Sequence, residues 1–293
     1  MLKLGDLLIE SVVECVESAG KLTETFPDAT DEAIESTLPW LAPSAYDLES
    51  GEMVMPVQTY VLRSRHHTIL VDTCIGNHKR QPGWSQYHMR KDFRLLDALS
   101  ESGVHPDEVD YVFCTHMHAD HVGWNTKLAN GRWVPSFPRA KYIFSKTELE
   151  FSKILLERDG DLTYEESVLP IIEAGQSQIV ESDFSLDDEI WLEPTPGHTP
   201  GHVAIHLKSR KSRGVISGDL IHSPVQLAYP EWSPFYDNDR ELACRTRRQF
   251  LERNCDRDIV VMTMHFPLPS IGHIIERGRA FGMKYVGCEM TYG

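Results

Sequence analysis

Apolar positions along this chain fall into short runs broken by polar, Gly- and Asp-rich turns, and the spacing within each run predicts which element it forms. Strand-like runs come first at "DLLIESVVECV", "VQTYVLRS" and "HTILVDT". Helical spacing follows at "DFRLLDALSESG", and then the short apolar strand "VDYVFCT". After it come the strand "AKYIFS" and the helix "KTELEFSKILLERDG", with Ser145 as the expected N-cap. The second half repeats the theme: strands at "QIVES", "IWLEPTPG", "HVAIHLKS" and "RGVISGDL", a helix at "DRELACRTRRQFLERN", and the strand "DIVVMTMH". Runs of strands separated by helices, in both halves, predict sheets with helices on their outer faces, a layered α/β sandwich.

No internal repeat or low-complexity linker marks a boundary, so residues 1–293 read as one domain. Residues 1–50, including "LPWLAPSAYDLESGE", match no usable motif. They stand as an N-terminal arm, a candidate wall of a pocket or of a homodimer.

Composition narrows the function classes. With 41% hydrophobic and 25% charged residues, the chain can bury a large core. No stretch reaches the eighteen or more apolar residues of a spanning helix, and the start lacks a basic flank before an apolar run, so the expected location is the cytoplasm, away from membranes. Six scattered cysteines without a C-x-x-C pair fit a reducing compartment. A net charge of −15 opposes a phosphate backbone, so no nucleic-acid partner is expected. The one basic run, "KSRKSRG" at Lys208 to Gly214, lies between apolar stretches and reads as an exposed hairpin turn.

The chemistry is concentrated in "FCTHMHADHVGW". His116 and His118 alternate at period two, so in extended backbone both imidazoles point the same way. The tighter turn of "ADH" can then bring Asp120 and His121 beside them. A chance H-x-H-x-D-H in a chain of this size has a probability on the order of 10⁻³. The cluster directly follows an apolar strand, where open α/β sheets usually build their sites. His198 in "EPTPGHTPGH", Asp219 in "VISGDLIH" and His265 in "VVMTMHFPLPS" end similar runs. Five histidines and two aspartates suffice for two adjacent metals sharing a carboxylate, and imidazole with carboxylate suits zinc, less decisively Mn, Fe or Co.

With "THMHADH", "TPGHTPGH", "SGDL" and a late strand-ending His, the chain from about Val57 to His273 resembles the metallo-β-lactamase superfamily. Within it the chain is more similar to the lactonase-like branch of quorum-quenching acyl-homoserine lactonases, pyridoxolactonases and organophosphate hydrolases. The resemblance implies an α/β fold, an αββα four-layer sandwich, with the site at one edge of the two sheets. It implies two divalent ions, zinc first: His116, His118 and His198 on one, Asp120, His121 and His265 on the other, and Asp219 bridging. Best-known β-lactamases carry Cys where Asp219 stands, and the flavodiiron branch has Glu where His118 stands, so both specialisations are disfavoured. Acyl-homoserine lactonases of the best-studied kind carry Tyr where this chain has His222, and the usual D-T-G is "DTC", with Cys74 replacing Gly.

Two cations sharing Asp219 would share a water, and a bound metal lowers its pKa to roughly 7, giving a hydroxide nucleophile without Ser or Cys. Asp120 is then the group to orient that water or shuttle its proton, and His222 the group to contact substrate or protonate the leaving group. The expected activity is opening of a lactone or cleavage of a related ester in a moderately hydrophobic small molecule. The rival enzyme reading is a phosphotriesterase or other esterase on the same metals. Thioester hydrolysis ranks lower, because the C-terminal stretch has no basic cluster to hold glutathione. Outside enzymes, a structural or regulatory metal-binding module is the alternative. Asp72 is expected to orient a ligand from behind. His202 and His206 are expected to be strand or supporting residues, and Cys74 and Cys114 core sulfurs. Trp84, Tyr87, Trp124, Phe137, Phe235 and Tyr236 together suggest apolar walls.

Overall fold

The computed structural model describes residues 1–81 and 83–286. Cys288 and the end of the C-terminal stretch read for basic residues lie outside them. The strands are β1 Leu2–Leu4, β2 Leu7–Lys21, β3 Tyr46–Asp47, β4 Glu52–Arg63, β5 Thr68–Val71, β6 Tyr111–Phe113, β7 Thr126–Ala129, β8 Arg132–Pro135, β9 Lys141–Ser145, β10 Ser177–Val180, β11 Ile190–Pro194, β12 Val203–Ser209, β13 Ser212–Ile216, β14 Val260–Met262, β15 Ile271–Arg277 and β16 Ala280–Tyr285. The helices are α1 Leu22–Thr25, α2 Asp31–Leu41, α3 Leu95–Glu101, α4 Ala119–Val122, α5 Lys146–Asp159, α6 Leu169–Glu173, α7 Val225–Ala228 and α8 Arg240–Asn254. No helix among the described residues is long and apolar enough to cross a membrane.

The chain divides into two compact units. The first takes Met1–Cys15, Val57–Phe184 and Gly201–Val203, and the second Val16–Pro56, Ser185–Pro200 and the chain from Ala204 on.

In the first unit β5, β6, β9 and β10 are parallel neighbours. They belong to a sheet ordered β1-β2-β4-β5-β6-β9-β10, with β3 paired to β4. The β5 and β6 runs are apolar at nearly every position because both faces are covered, as parallel strands require. Val57, Val61, Leu70, Val112, Phe144 and Leu149 share one core. The loop after β5 is zipped to the turn after β6 by backbone bonds: Asp72 N to Phe113 O, Gly123 N to Cys74 O and Trp124 N to Thr73 O. Cys74 occupies the left-handed region, φ 53°, where the usual motif has Gly. Cys74 and Cys114 are both buried in this core, as expected from the sequence.

The second unit contains the sheet β11-β12-β13-β14-β15-β16. Lys208 to Gly214 spans the β12–β13 hairpin, with Arg210 at φ 57° in its turn, as the basic run suggested. β13 and β14 are parallel, so their C-terminal ends lie on the same side. Val215, Phe250, Leu251, Val261 and Ile274 form a core between this sheet and α8.

Ile34 and Leu41 of α2 pack with Leu22, Phe26, Val225 and Trp232. The sequence reading had no element here. Pro39 inside α2 masks the periodicity, although Thr30 accepts the Ala33 N–H as a conventional N-cap. β15 and β16 were also missed. Ser145 does precede α5, but its hydroxyl pairs with Ser182 and makes no cap bond.

Gly123 ends the "HADHVG" turn against backbone. A Cβ there would lie 1.7 Å from Ile75 O. Nothing flexible can yield at that distance, so Gly123→Ala must displace one of the two loops. It should lower unfolding free energy by at least about 2–3 kcal/mol in chemical denaturation. Substitution of Gly131, where a Cβ meets nothing within 4 Å, should lose only what its positive φ imposes.

Candidate metal centre

In the first unit, the C-terminal ends of β5 and β6 bring Asp72 together with His116, His118, Asp120 and His121. Asp72 is fully buried. Its Oδ1 accepts the Thr115 N–H at 2.7 Å, and its Oδ2 accepts the Thr115 hydroxyl at 2.7 Å and His121 Nδ1 at 2.7 Å. Because the Thr115 proton is committed to Asp72, its oxygen accepts from His116 Nδ1 at 3.1 Å. A neutral imidazole carries one proton, so these bonds leave Nε2 of both His116 and His121 as lone pairs. His118 Nδ1 lies 3.1 Å from His116 Nε2, and the His116 and His121 rings are 4.0 Å apart. Asp120 Oδ2 stands 3.7 Å from His121 Nε2, with its side chain 27% exposed. The four motif residues are therefore gathered at one place in this unit.

The second unit gathers His198, Asp219, His222 and His265. His198 donates Nδ1–H to Asp237 Oδ1 at 2.8 Å, and His265 donates Nδ1–H to Pro56 O at 3.0 Å. Both therefore also present Nε2 as a lone pair. Asp219 divides its oxygens: Oδ1 is 3.1 Å from His265 Nε2, while Oδ2 is 3.5 Å from His198 Nε2 and 3.1 Å from His222 Nε2. Gly197, at φ 138°, lets the His198 loop approach α8 so closely that a Cβ would sit 2.4 Å from the Ala243 backbone.

Four supporting residues escaped the sequence reading. Asp237 is buried, which by itself raises its carboxyl. The His198 hydrogen bond and the charges of His198, His222 and Arg247 outweigh that and hold it at about 2. Arg247 of α8 donates to Leu220 O, Pro230 O and Trp232 O and reaches Asp237 Oδ2 at 3.3 Å, fixing the loop behind His198. Glu148 of α5 accepts the Met117 N–H at 3.0 Å and the Gly201 N–H at 3.1 Å, pinning the centre of the H-x-H turn. Glu14 on β2 accepts the Ile75 N–H at 2.8 Å and the Trp124 indole N–H, while burial pushes its carboxyl up to about 7 against those bonds. The buried acids in "KTELEFS" and "VVECVE" sit within apolar spacing, a weak signal that these segments carry more than packing.

Among the expected wall aromatics, Trp124 and Phe137 are core residues. Trp84 and Phe235 are exposed. Tyr236 stands edge-on to His222 with ring centres 5.2 Å apart. His202 is buried beside His116 at 5.2 Å, and His206 stacks on Trp191 and pairs with Glu193.

Histidine Nε2 atoms and a divided carboxylate, backed by carboxylates and carbonyls on Nδ1, are the donor set of a site for divalent metals. The family model of the metallo-β-lactamase superfamily matches residues 53–263, and the chain belongs to this superfamily. Its fold is accordingly the metallo-β-lactamase fold, mixed α/β, as the sequence led one to expect. The chain is 27% identical to an N-acyl homoserine lactonase of a Bacillus species over 243 residues, 79% of this chain and 87% of the relative. It also resembles the structure of AbOPH, a hydrolase of the β-lactamase superfamily, with a TM-score of 0.84 and 21% identity, covering 99% of this chain and 97% of that one. The structure of AidC, a dizinc quorum-quenching lactonase in complex with a product, matches with a TM-score of 0.80 and 21% identity over 99% and 97% of the two chains.

Asp72 neutralises the hydrogen-bonding demand of three buried groups at once. Asp72→Ala would leave the Thr115 N–H, the Thr115 hydroxyl and His121 Nδ1 without their acceptor. A loss of about 2–4 kcal/mol in unfolding free energy of the metal-free protein is expected from equilibrium denaturation. Asp72→Asn should lose less, since it retains one acceptor oxygen.

Proposed function

We propose that this chain is a metal-dependent hydrolase that opens a lactone in a moderately hydrophobic small molecule, and that it holds two divalent ions, zinc first. In this reading His116, His118 and His198 bind one ion, and Asp120, His121 and His265 the other. Asp219 bridges them. The observation that carries it is the proton arrangement: four buried histidines each commit Nδ1–H to a fixed acceptor and so present Nε2. The donor atoms around Asp219 also have the spacing of shared coordination. Two donors each about 2.1 Å from one ion lie about 3.0 Å apart at right angles and about 3.4 Å apart at the tetrahedral angle. The His265 separation of 3.1 Å falls within that range, and the His198 separation of 3.5 Å lies just above it.

Bound metals supply a water whose pKa is near neutrality and a positive charge where the carbonyl oxygen becomes negative. The chain's own contribution is orientation. Asp72, Asp237 and the Pro56 carbonyl fix the imidazole rings, so no ring turns during the reaction. Asp120, the most open carboxylate of the set, is placed to hold the attacking water or accept its proton. Tyr236 offers an aromatic edge to the apolar part of the substrate. The lactone assignment is supported by the named activity of the Bacillus relative, and AidC, the dizinc neighbour, supports zinc.

Protein purified without chelator should contain close to two transition-metal ions per chain by elemental analysis. Dialysis against a chelator should abolish turnover, and divalent metal should restore it. Full activity with one ion or none would remove the dinuclear reading.

A hydrolysis panel tests the substrate class. Lactones should exceed phosphotriesters and β-lactams in kcat/KM by at least about a hundredfold, roughly 2.7 kcal/mol of differential transition-state binding, with linear activated esters between. A preference for phosphotriesters would leave the metals in place and end the lactonase reading.

A further inference from the structure

His222 is the one histidine of the second unit's cluster whose ring is not tied down. The rings of His198 and His265 are each anchored through Nδ1, whereas neither nitrogen of His222 makes a hydrogen bond among the described residues, although both are buried. Its position is nevertheless fixed from several sides. Its backbone N–H donates to Gln226 Oε1 at 2.7 Å. Its ring lies edge-on to His198 at 4.8 Å and to Tyr236 at 5.2 Å, and parallel to His265 at 6.1 Å. At 2% exposure the residue has no solvent to satisfy it. Two buried ring nitrogens without a hydrogen bond would be a considerable loss beside the anchored rings of His198 and His265.

The missing partner can be located. His222 Nε2 is 3.1 Å from Asp219 Oδ2 without the alignment of a hydrogen bond. It is on the same carboxylate oxygen as His198 Nε2, opposite the oxygen that faces His265. Donor atoms of His198, Asp219 and His222 all lie within 4.8 Å of one another. A separation near 3 Å between two donors that do not bond each other is what two ligands of one ion show at a right angle.

We propose that His222 is a further metal ligand, adding its Nε2 to the ion held by His198 and Asp219 Oδ2, in place of the contact with substrate expected from the sequence. The proposal rests on the dinuclear reading above. It assigns the unanchored ring a purpose: with no Nδ1 acceptor, its donor strength is set by the metal alone, so this ligand is the least constrained of the set.

Two isosteric substitutions separate ligation from hydrogen bonding to Asp219. His222→Gln retains an N–H that can donate to Asp219 but is a poor ligand. His222→Glu can ligate but would meet Asp219 as a like charge if no ion lay between them. Co2+ would be titrated into the metal-free wild type and both variants, with chelator competition, elemental analysis and the cobalt absorption spectrum as readouts and circular dichroism as the check on folding. Wild type should bind two Co2+ per chain. His222→Gln should weaken one of the two equivalents by at least about a hundredfold and alter the spectrum of that site only, while His222→Glu should recover most of the affinity. A wild type that binds fewer than two ions defeats the dinuclear reading itself. With two ions bound, any result in which His222→Gln holds metal as well as or better than His222→Glu overturns the ligand assignment.

Discussion

A buried imidazole has one proton and two nitrogens, and the placement of that proton governs everything else at this centre. His121 donates it to Asp72, His116 to the Thr115 hydroxyl oxygen, His198 to Asp237, and His265 to the Pro56 carbonyl. Each acceptor chooses a tautomer and a ring orientation together. Remove the acceptors and the same histidines would be free to turn and to present either nitrogen. The proposed metal chemistry therefore depends on residues that would never touch the ions.

These acceptors are themselves held by the fold. Asp72 sits at the end of β5 with φ 59°, a left-handed conformation kept by its backbone bond to Phe113 and by the zipped turn that follows. Asp237 is braced by Arg247, a fully buried arginine of α8 that also gathers three backbone carbonyls. Removing the arginine would leave several buried acceptors and a carboxylate uncompensated, so its burial makes sense as scaffolding for the His198 loop. Gly197 and Gly123 contribute by absence: no side chain could stand where their loops meet backbone.

The ligand-type residues were legible because strand ends are legible. An apolar run followed closely by His or Asp is a local pattern, and His116, Asp219 and His265 each stand three residues past the ends of β6, β13 and β14. β5 and β6 are parallel in the first unit and β13 and β14 in the second, which puts the ends of those paired strands side by side. The supporting residues were not legible for the opposite reason. Glu148 lies in an ordinary amphipathic helix, Asp237 in a loop rich in aromatic residues, and Arg247 in a strongly charged helix. Beyond the apolar spacing around Glu148, little in their neighbours distinguishes them from solvent-facing residues, and α2 was hidden by Pro39.

The layered α/β pattern and the clustered His and Asp residues could be read from the chain alone, through short-range periodicity and rare spacings such as H-x-H-x-D-H, while the family was read from the resemblance of those motifs to a known superfamily. The tertiary structure decided which nitrogen of each ring is presented, which oxygen of Asp219 faces which histidine, and that His222 is buried with no anchor. Those properties depend on contacts such as His265 with Pro56, 209 positions apart. Hydrogen-bond direction is fixed by three-dimensional neighbours, and no periodicity along the chain encodes it.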